Sequence, residues 1–208
     1  MRTWILAVVL AGSVPSIVRA QTIEITPMVG YRFGGSLTAT GPNGGTVNSA
    51  LEVGDSESFG VHLGYELHDA ELELLYSRQS TNLQTAGLFT GVPVMDMTLD
   101  TFQGGGNYLF GQRDSKVVPF IGFGLGFTRL APKAAGLSDE SRFSASFAGG
   151  AKFWLGKHVG LRLEGRLFVT VFDSDSDHIC GTNNNCAFRT TSTDLTQGEA
   201  RGGLILRF

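Results

Sequence analysis

Counting back in twos from Phe208 gives Leu206, Leu204, Gly202, Ala200, Gly198 and Thr196, none of them charged. The other parity holds Arg207, Ile205, Gly203, Arg201, Glu199 and Gln197. A strand sends alternate side chains to opposite faces, so this segment has an uncharged face and a charged one, and it ends on an aromatic. Two architectures accommodate that pattern. In a soluble sandwich the apolar face packs inward; in a transmembrane barrel it faces lipid and the charges turn into the lumen. No segment after the N-terminal run could span a membrane as a helix, and an uncleaved anchor is the alternative reading of that run. After the N-terminal run, the longest apolar stretch is Val117 to Phe127, interrupted by Pro119 and glycines. That is well short of the roughly 20 residues a spanning helix requires. Without such an anchor, an integral protein built from this chain must therefore be a closed barrel, the remaining way to satisfy every backbone group in lipid.

The N-terminus reads as an export signal. Arg2 precedes an apolar run from Trp4 to Leu10, and Val18-Arg19-Ala20 fits a cleavage site, so residues 1–20 are expected to be removed and Gln21 to begin the mature chain. Residues 1–20 carry Arg2 and Arg19 and no acid, so their loss takes the formal charge from −3 to −5. A mildly acidic chain without clustered basic charge is a poor nucleic-acid binder.

The mature chain reads as eight alternating segments. Seven of them cover about 23–33, 58–67, 70–78, 97–110, 117–128, 143–155 and 159–171; the C-terminal strand completes the set. The seventh is the clearest, with Leu161, Leu163 and Leu167 opposing Arg162, Glu164 and Arg166. The fourth is the least regular. Asp96 and Asp100 suggest a switch of parity in its upper half, and hence a bulge near Thr101 to Gly104. The connections alternate in length. Short ones lie at His68-Asp69, 111–116 and 156–158; long ones at 34–57, 79–96, 129–142 and 172–194. Long loops at one end and short turns at the other are the pattern of a membrane barrel, and a soluble sandwich has no reason to segregate them. Aromatics on the apolar parity fall into two belts. Tyr65, Tyr108, Phe110, Phe153 and Phe208 lie near the short turns, and Phe33, Phe59, Tyr76, Phe127 and Phe143 near the long loops.

Residues 21–208 resemble the small eight-stranded outer-membrane barrels typified by the transmembrane domain of outer membrane protein A and by outer membrane protein X. The likeness is carried by Val29-Gly30-Tyr31-Arg32-Phe33-Gly34, Asn107-Tyr108-Leu109-Phe110, the segment Pro119 to Phe127 and the terminal Leu204 to Phe208. It implies an all-β, eight-stranded antiparallel up-and-down barrel in the outer membrane, in contact with lipid and lipopolysaccharide. It further implies extracellular long loops, periplasmic mature termini, a monomer, and recognition of Phe208 by the barrel-assembly machinery. A periplasmic peptidoglycan-binding domain, found in some relatives, is not expected. Activity is not implied, because this fold hosts adhesive, structural, pore-forming and lipid-modifying proteins.

Several groups of residues could carry function. Glu24, Glu66, Glu71, Glu73, Glu164 and Glu199 are assigned to the lumen with Arg32, Lys152, Arg162, Arg166, Arg201 and Arg207. Eight strands leave room only for side chains, so a salt-bridged plug is expected, with a gated narrow pore as the alternative. Inward Gly122, Gly124 and Gly126 would make room for long Arg and Glu side chains from facing strands. Cys180 and Cys186 enclose Gly-Thr-Asn-Asn-Asn in the last long loop. Export and an even count favour a disulfide between them. Asp173, Asp175 and Asp177 alternate in the manner of calcium ligands, but His178 occupies the place of the turn glycine and no distal Glu follows. A solvated acidic loop is the expectation, with no metal or cofactor. Lipid A-modifying enzymes of this fold use a His with a Ser and an acid at the outer rim. Here His62 lies mid-strand, His68 and His158 in short turns and His178 in a loop, so no catalytic residues are assigned and a non-enzymatic envelope role is expected.

Overall fold

The computed structural model describes residues 22–40, 49–85, 93–111, 115–133, 138–172, 189–190 and 194–208. The strands in chain order are β1 (Thr22–Phe33), β2 (Ser36–Thr40), β3 (Ser49–Val53), β4 (Ser56–Leu67), β5 (Ala70–Thr85), β6 (Pro93–Leu109), β7 (Val117–Pro132), β8 (Glu140–Trp154), β9 (Val159–Val171), β10 (Arg189–Thr190) and β11 (Asp194–Arg207). Eight of them form a ring of antiparallel neighbours, β1-β4-β5-β6-β7-β8-β9-β11, closed by pairing of β11 with β1. Closure leaves no open edge in the wall. The last residue joins the seam: Phe208 N–H donates to the Ile23 carbonyl at 3.0 Å.

Side-chain alternation is inverted relative to a soluble protein. Leu74, Val29, Phe123, Phe147 and Leu163 point outward and are exposed, whereas Glu24, Arg32, Lys152 and Arg162 are buried inside. The aromatics read as two belts lie on the outer face; Phe33, Phe59, Phe127 and Phe143 at one end and Tyr108, Phe110 and Phe208 at the other are all substantially exposed. An apolar outer band over a polar interior is the polarity of a barrel solvated by lipid.

The strands run past the sequence-read limits at the long-connection end. β5 continues to Thr85, β6 begins at Pro93 and β7 reaches Pro132. The first long connection contributes β2 and β3, and β3 pairs with the top of β5, opposing Leu51 to Thr85 and Val53 to Leu83. β10 pairs in turn with β2, so the sheet extends beyond the ring. The chain leaves β1 for this extension through Gly34 and Gly35 at φ 75° and 112°, a conformation suited to residues without a Cβ. At the opposite end, His68 closes the β4–β5 turn at φ 44°, in the left-handed region.

The expected bulge near Thr101 to Gly104 is not present. β6 pairs with β5 in continuous register from Tyr108 opposite Ala70 to Met95 opposite Leu83, and the shift falls between Leu83 and Gln84. Parity on β6 does not switch either. Met97 and Leu99 keep the inward phase, and Asp100 keeps the outward one, held there by Arg78 and Tyr76. An apolar layer inside and an ion pair outside imitate a change of face.

Candidate functional site in the barrel lumen

The interior is filled in three layers. Across the long-connection mouth, Leu83 from β5, Met97 and Leu99 from β6, Leu130 from β7, Phe172 after β9 and Leu195 from β11 pack with Val53 from β3, all buried. Near the short-turn mouth a smaller apolar group contains Leu109, Val118 and Phe120, with Trp154 packed against it. The charged layer lies beneath the first and runs past the second, so that Lys152 and Arg207 share the short-turn mouth with Leu109, Val118 and Trp154.

That layer links most of the sequence-read lumen residues in one network, with Arg32 and Glu199 as a separate pair. Glu164 on β9 is its hub. It accepts from Arg162 Nε at 2.9 Å, Arg166 Nε at 2.7 Å and Arg201 Nε at 3.0 Å. The two arginines on its own strand flank it in phase, and Arg201 sits directly opposite it on β11. Arg162 also reaches Glu71 at 3.0 Å, and Arg166 reaches Glu73 at 2.6 Å. Lys152 bridges Glu24, at 2.7 Å, and Glu71. Arg207 joins Glu24 and Glu66, each at 2.9 Å. Nearer the long-connection end, Arg32 pairs with Glu199 at 2.6 Å while Ser58 donates to the same carboxylate at 3.0 Å. Charges withdrawn from water in this way persist only when paired and hydrogen-bonded.

Aromatic faces complete the cation sites. Arg162 lies 4.1 Å over Phe120, Arg32 4.2 Å over Phe168 and Arg207 3.5 Å over Trp154. Neutral side chains take remaining donors and acceptors. Asn107 donates to Glu71 at 2.8 Å and Glu73 at 3.0 Å, and Arg166 Nη1 donates to Ser146 at 3.0 Å. His62 is fully buried, with Nε2 3.1 Å from Glu73 and 3.4 Å from Glu71, so Nε2 carries the donated proton. Sequence reasoning had not given Asn107, Ser146 or His62 a part in the network. Their inward phase, shared with neighbouring charges, was the available signal.

The inward glycines act by close approach. A Cβ at Gly124 would stand 3.0 Å from Gln103 Oε1 and 3.4 Å from Arg166 Nη1, which fits the expected making of room. At Gly122 the occupied space is that of Asn107, whose Oδ1 would be 1.9 Å away. The charged layer opens toward the short turns into a recess of about 170 Å³ lined by Glu66, Asp69, Lys152, Trp154 and Arg207.

The other candidate residues are separate. His158 Nδ1 lies 3.1 Å from the Arg207 carbonyl in the last short turn. Phe208 lies on the outer seam between β1 and β11 and is well exposed. Residues 1–20, read above as an export signal, and Asp173, Asp175, Asp177, His178, Cys180 and Cys186 lie outside the described residues.

Comparison with known proteins agrees with this geometry. A family profile described as "outer membrane protein beta-barrel domain" matches residues 4–208. Among solved structures, the chain is similar to Neisserial surface protein A, at 16% identity and TM-score 0.59, with 90% of this chain and 97% of that chain covered. It is also similar to the outer membrane protein OprG from Pseudomonas aeruginosa, at 14% identity and TM-score 0.61, covering 91% and 96%. Identities this low establish a shared fold. A search of curated proteins returned no match.

Proposed function

Because this chain belongs to the outer-membrane β-barrel family, we propose that it is a non-enzymatic, non-conducting envelope protein whose barrel anchors four long connections at the cell surface. The observation that carries this reading is the filling of the lumen. A charged layer of mutually paired groups lies beneath an apolar layer at the long-connection mouth, and a second apolar group packs beside it at the short-turn mouth. An ion crossing it would have to displace paired charges and then pass the buried apolar side chains of Leu99, Leu130 and Phe172. The short turns, with Phe208 and the N-terminal strand, face the periplasm. The long connections, including β2, β3 and the Cys180–Cys186 segment, face outward and meet the surroundings. Segregation of connection length supports that orientation.

Planar-bilayer recording on the purified protein tests the lumen. Current indistinguishable from protein-free bilayers is expected, and steady stepwise conductance would replace this reading with a narrow pore. Protease added to intact cells tests the orientation. Cleavage within 173–188 with the short turns protected is expected, and the reverse pattern would invert the assignment.

A further inference from the structure

On the outer wall, the charges of the long-connection half are unevenly distributed. In the described residues of the ring strands and their immediate ends, the outward-facing cations of that half are Arg78 on β5, Arg129 on β7 and Lys133 just after β7. All three flank a single strand, β6. Register arranges them in rows. Tyr76, Phe102 and Phe127 stand opposite one another, and Arg78, Asp100 and Arg129 form the next row outward. The three rings stack, with centroids 4.7 Å and 5.3 Å apart. Aromatic rings of this kind lie at the membrane interface, so the charged row begins where lipid headgroups begin.

Asp100 shapes this row. Its side chain is only 6% exposed although it faces outward, because Arg78 Nε at 2.6 Å, Arg78 Nη2 at 2.9 Å and the Tyr76 hydroxyl at 2.9 Å close around it. The carboxylate thereby fixes the Arg78 guanidinium against the wall and leaves its remaining N–H groups turned outward, on a side chain 55% exposed. Arg129, two strands and about 10 Å across, pairs with Asp139 and remains 51% exposed. Register sets Asp139 one row and Asp96 two rows farther out, each row adding roughly 7 Å of strand. The deepest charged row therefore carries two cations and one anion, and the compensating acids stand above it.

We infer that Arg78 and Arg129 form a site on the lipid-facing wall for the phosphate groups of the outer-leaflet glycolipid, with Asp100 as the residue that positions Arg78. The site rests on the orientation given under Proposed function, since the opposite orientation would set it against inner-leaflet phospholipid. Guanidinium forks suit phosphate oxygens, and a row bordered below by stacked rings receives a headgroup whose acyl chains run down over Leu74 and Leu125.

Native mass spectrometry of the folded full-length protein, released from mixed micelles, tests the site. The probes are phosphorylated lipid A, dephosphorylated lipid A and phosphatidylglycerol. The wild type should retain phosphorylated lipid A about tenfold better than either other lipid. Arg78→Gln/Arg129→Gln should lose that preference with unchanged heat-modifiable migration. Arg129→Gln alone leaves the Arg78–Asp100 pair intact and should lose part of it, which keeps the test open if the double variant fails to fold. Equal retention of phosphorylated and dephosphorylated lipid A by the wild type would overturn the site, as would full preference in either folded variant. Equal retention of phosphatidylglycerol would overturn the glycolipid assignment. The failures are distinguishable: lost retention with surface-cleaved long connections removes only this site, whereas cleavage confined to the short turns removes the orientation.

Discussion

Glu164→Gln is the most informative single change in the lumen. It keeps shape and hydrogen-bonding capacity but withdraws the one charge shared by Arg162, Arg166 and Arg201. Removing one member of a buried pair costs about 3–5 kcal/mol when its partner is left uncompensated. Arg162 would keep Glu71 at 3.0 Å and Arg166 would keep Glu73 at 2.6 Å. Arg201, whose direct ion pair among the described residues is with Glu164, would lose that contact and keep only the longer-range attraction of Glu199 and Glu73. One stranded cation out of three places the expected loss at about 3 kcal/mol, the lower end of that range. Glu24→Gln provides the comparison. Its partners Lys152 and Arg207 retain Glu71 and Glu66, so the loss should be only about 1–2 kcal/mol. Adding Arg201→Met to Glu164→Gln removes the stranded cation and should recover about half of the loss or more. Equilibrium urea unfolding in lipid vesicles, followed by tryptophan fluorescence and gel mobility, measures all four proteins. A neutral Glu164→Gln, or a double variant no more stable than the single one, would refute stranding of Arg201 as the cause.

Leu163 faces lipid beside Glu164, so Leu163→Arg should cost about 2–4 kcal/mol in the same vesicle assay if the position is at mid-depth. Leu99→Ala hollows the buried apolar layer and should cost about 2–4 kcal/mol, whereas the same change at a lipid-facing leucine such as Leu74 should cost clearly less. Phe208→Asp should sharply lower the amount of assembled, heat-modifiable barrel in cells; a normal yield would count against a role for Phe208 in assembly. Thiol titration of protein isolated without reductant should find Cys180 and Cys186 unreactive, and a Cys180→Ser/Cys186→Ser variant should fold in detergent yet be nicked faster on whole cells.

The ring was legible because period-two alternation survives wherever one face must meet lipid and the other must not. Arg162, Glu164 and Arg166 could be placed inside from β9 alone. Their partners could not, because choosing Glu71 over Glu66 for Arg162 depends on shear between strands far apart in sequence. The apolar layer at the long-connection mouth was missed for a related reason. Above the aromatic belt there is no hydrocarbon to enforce apolar-out alternation, so Leu83, Met97 and Leu99 turn inward in unchanged phase and Asp100 turns outward. Read locally, that arrangement is indistinguishable from a bulge. The long connections were read as loops because β2 and β3 are short and gain their ladder from β5.

The same apolar layer bears on how long a closed barrel stays closed. Val53, Leu83, Leu130 and Leu195 come from distant parts of the chain, and Leu195, on the strand whose pairing with β1 closes the ring, joins the others as the ring is completed. Contacts of that kind are largely absent from the transition state of a long-range β topology, so they slow unfolding with little effect on the rate of folding. Thinning the layer should thus leave assembly kinetics nearly intact and shorten the lifetime of the folded protein in denaturant. In a membrane from which an opened chain cannot readily be retrieved, persistence is governed by that unfolding rate.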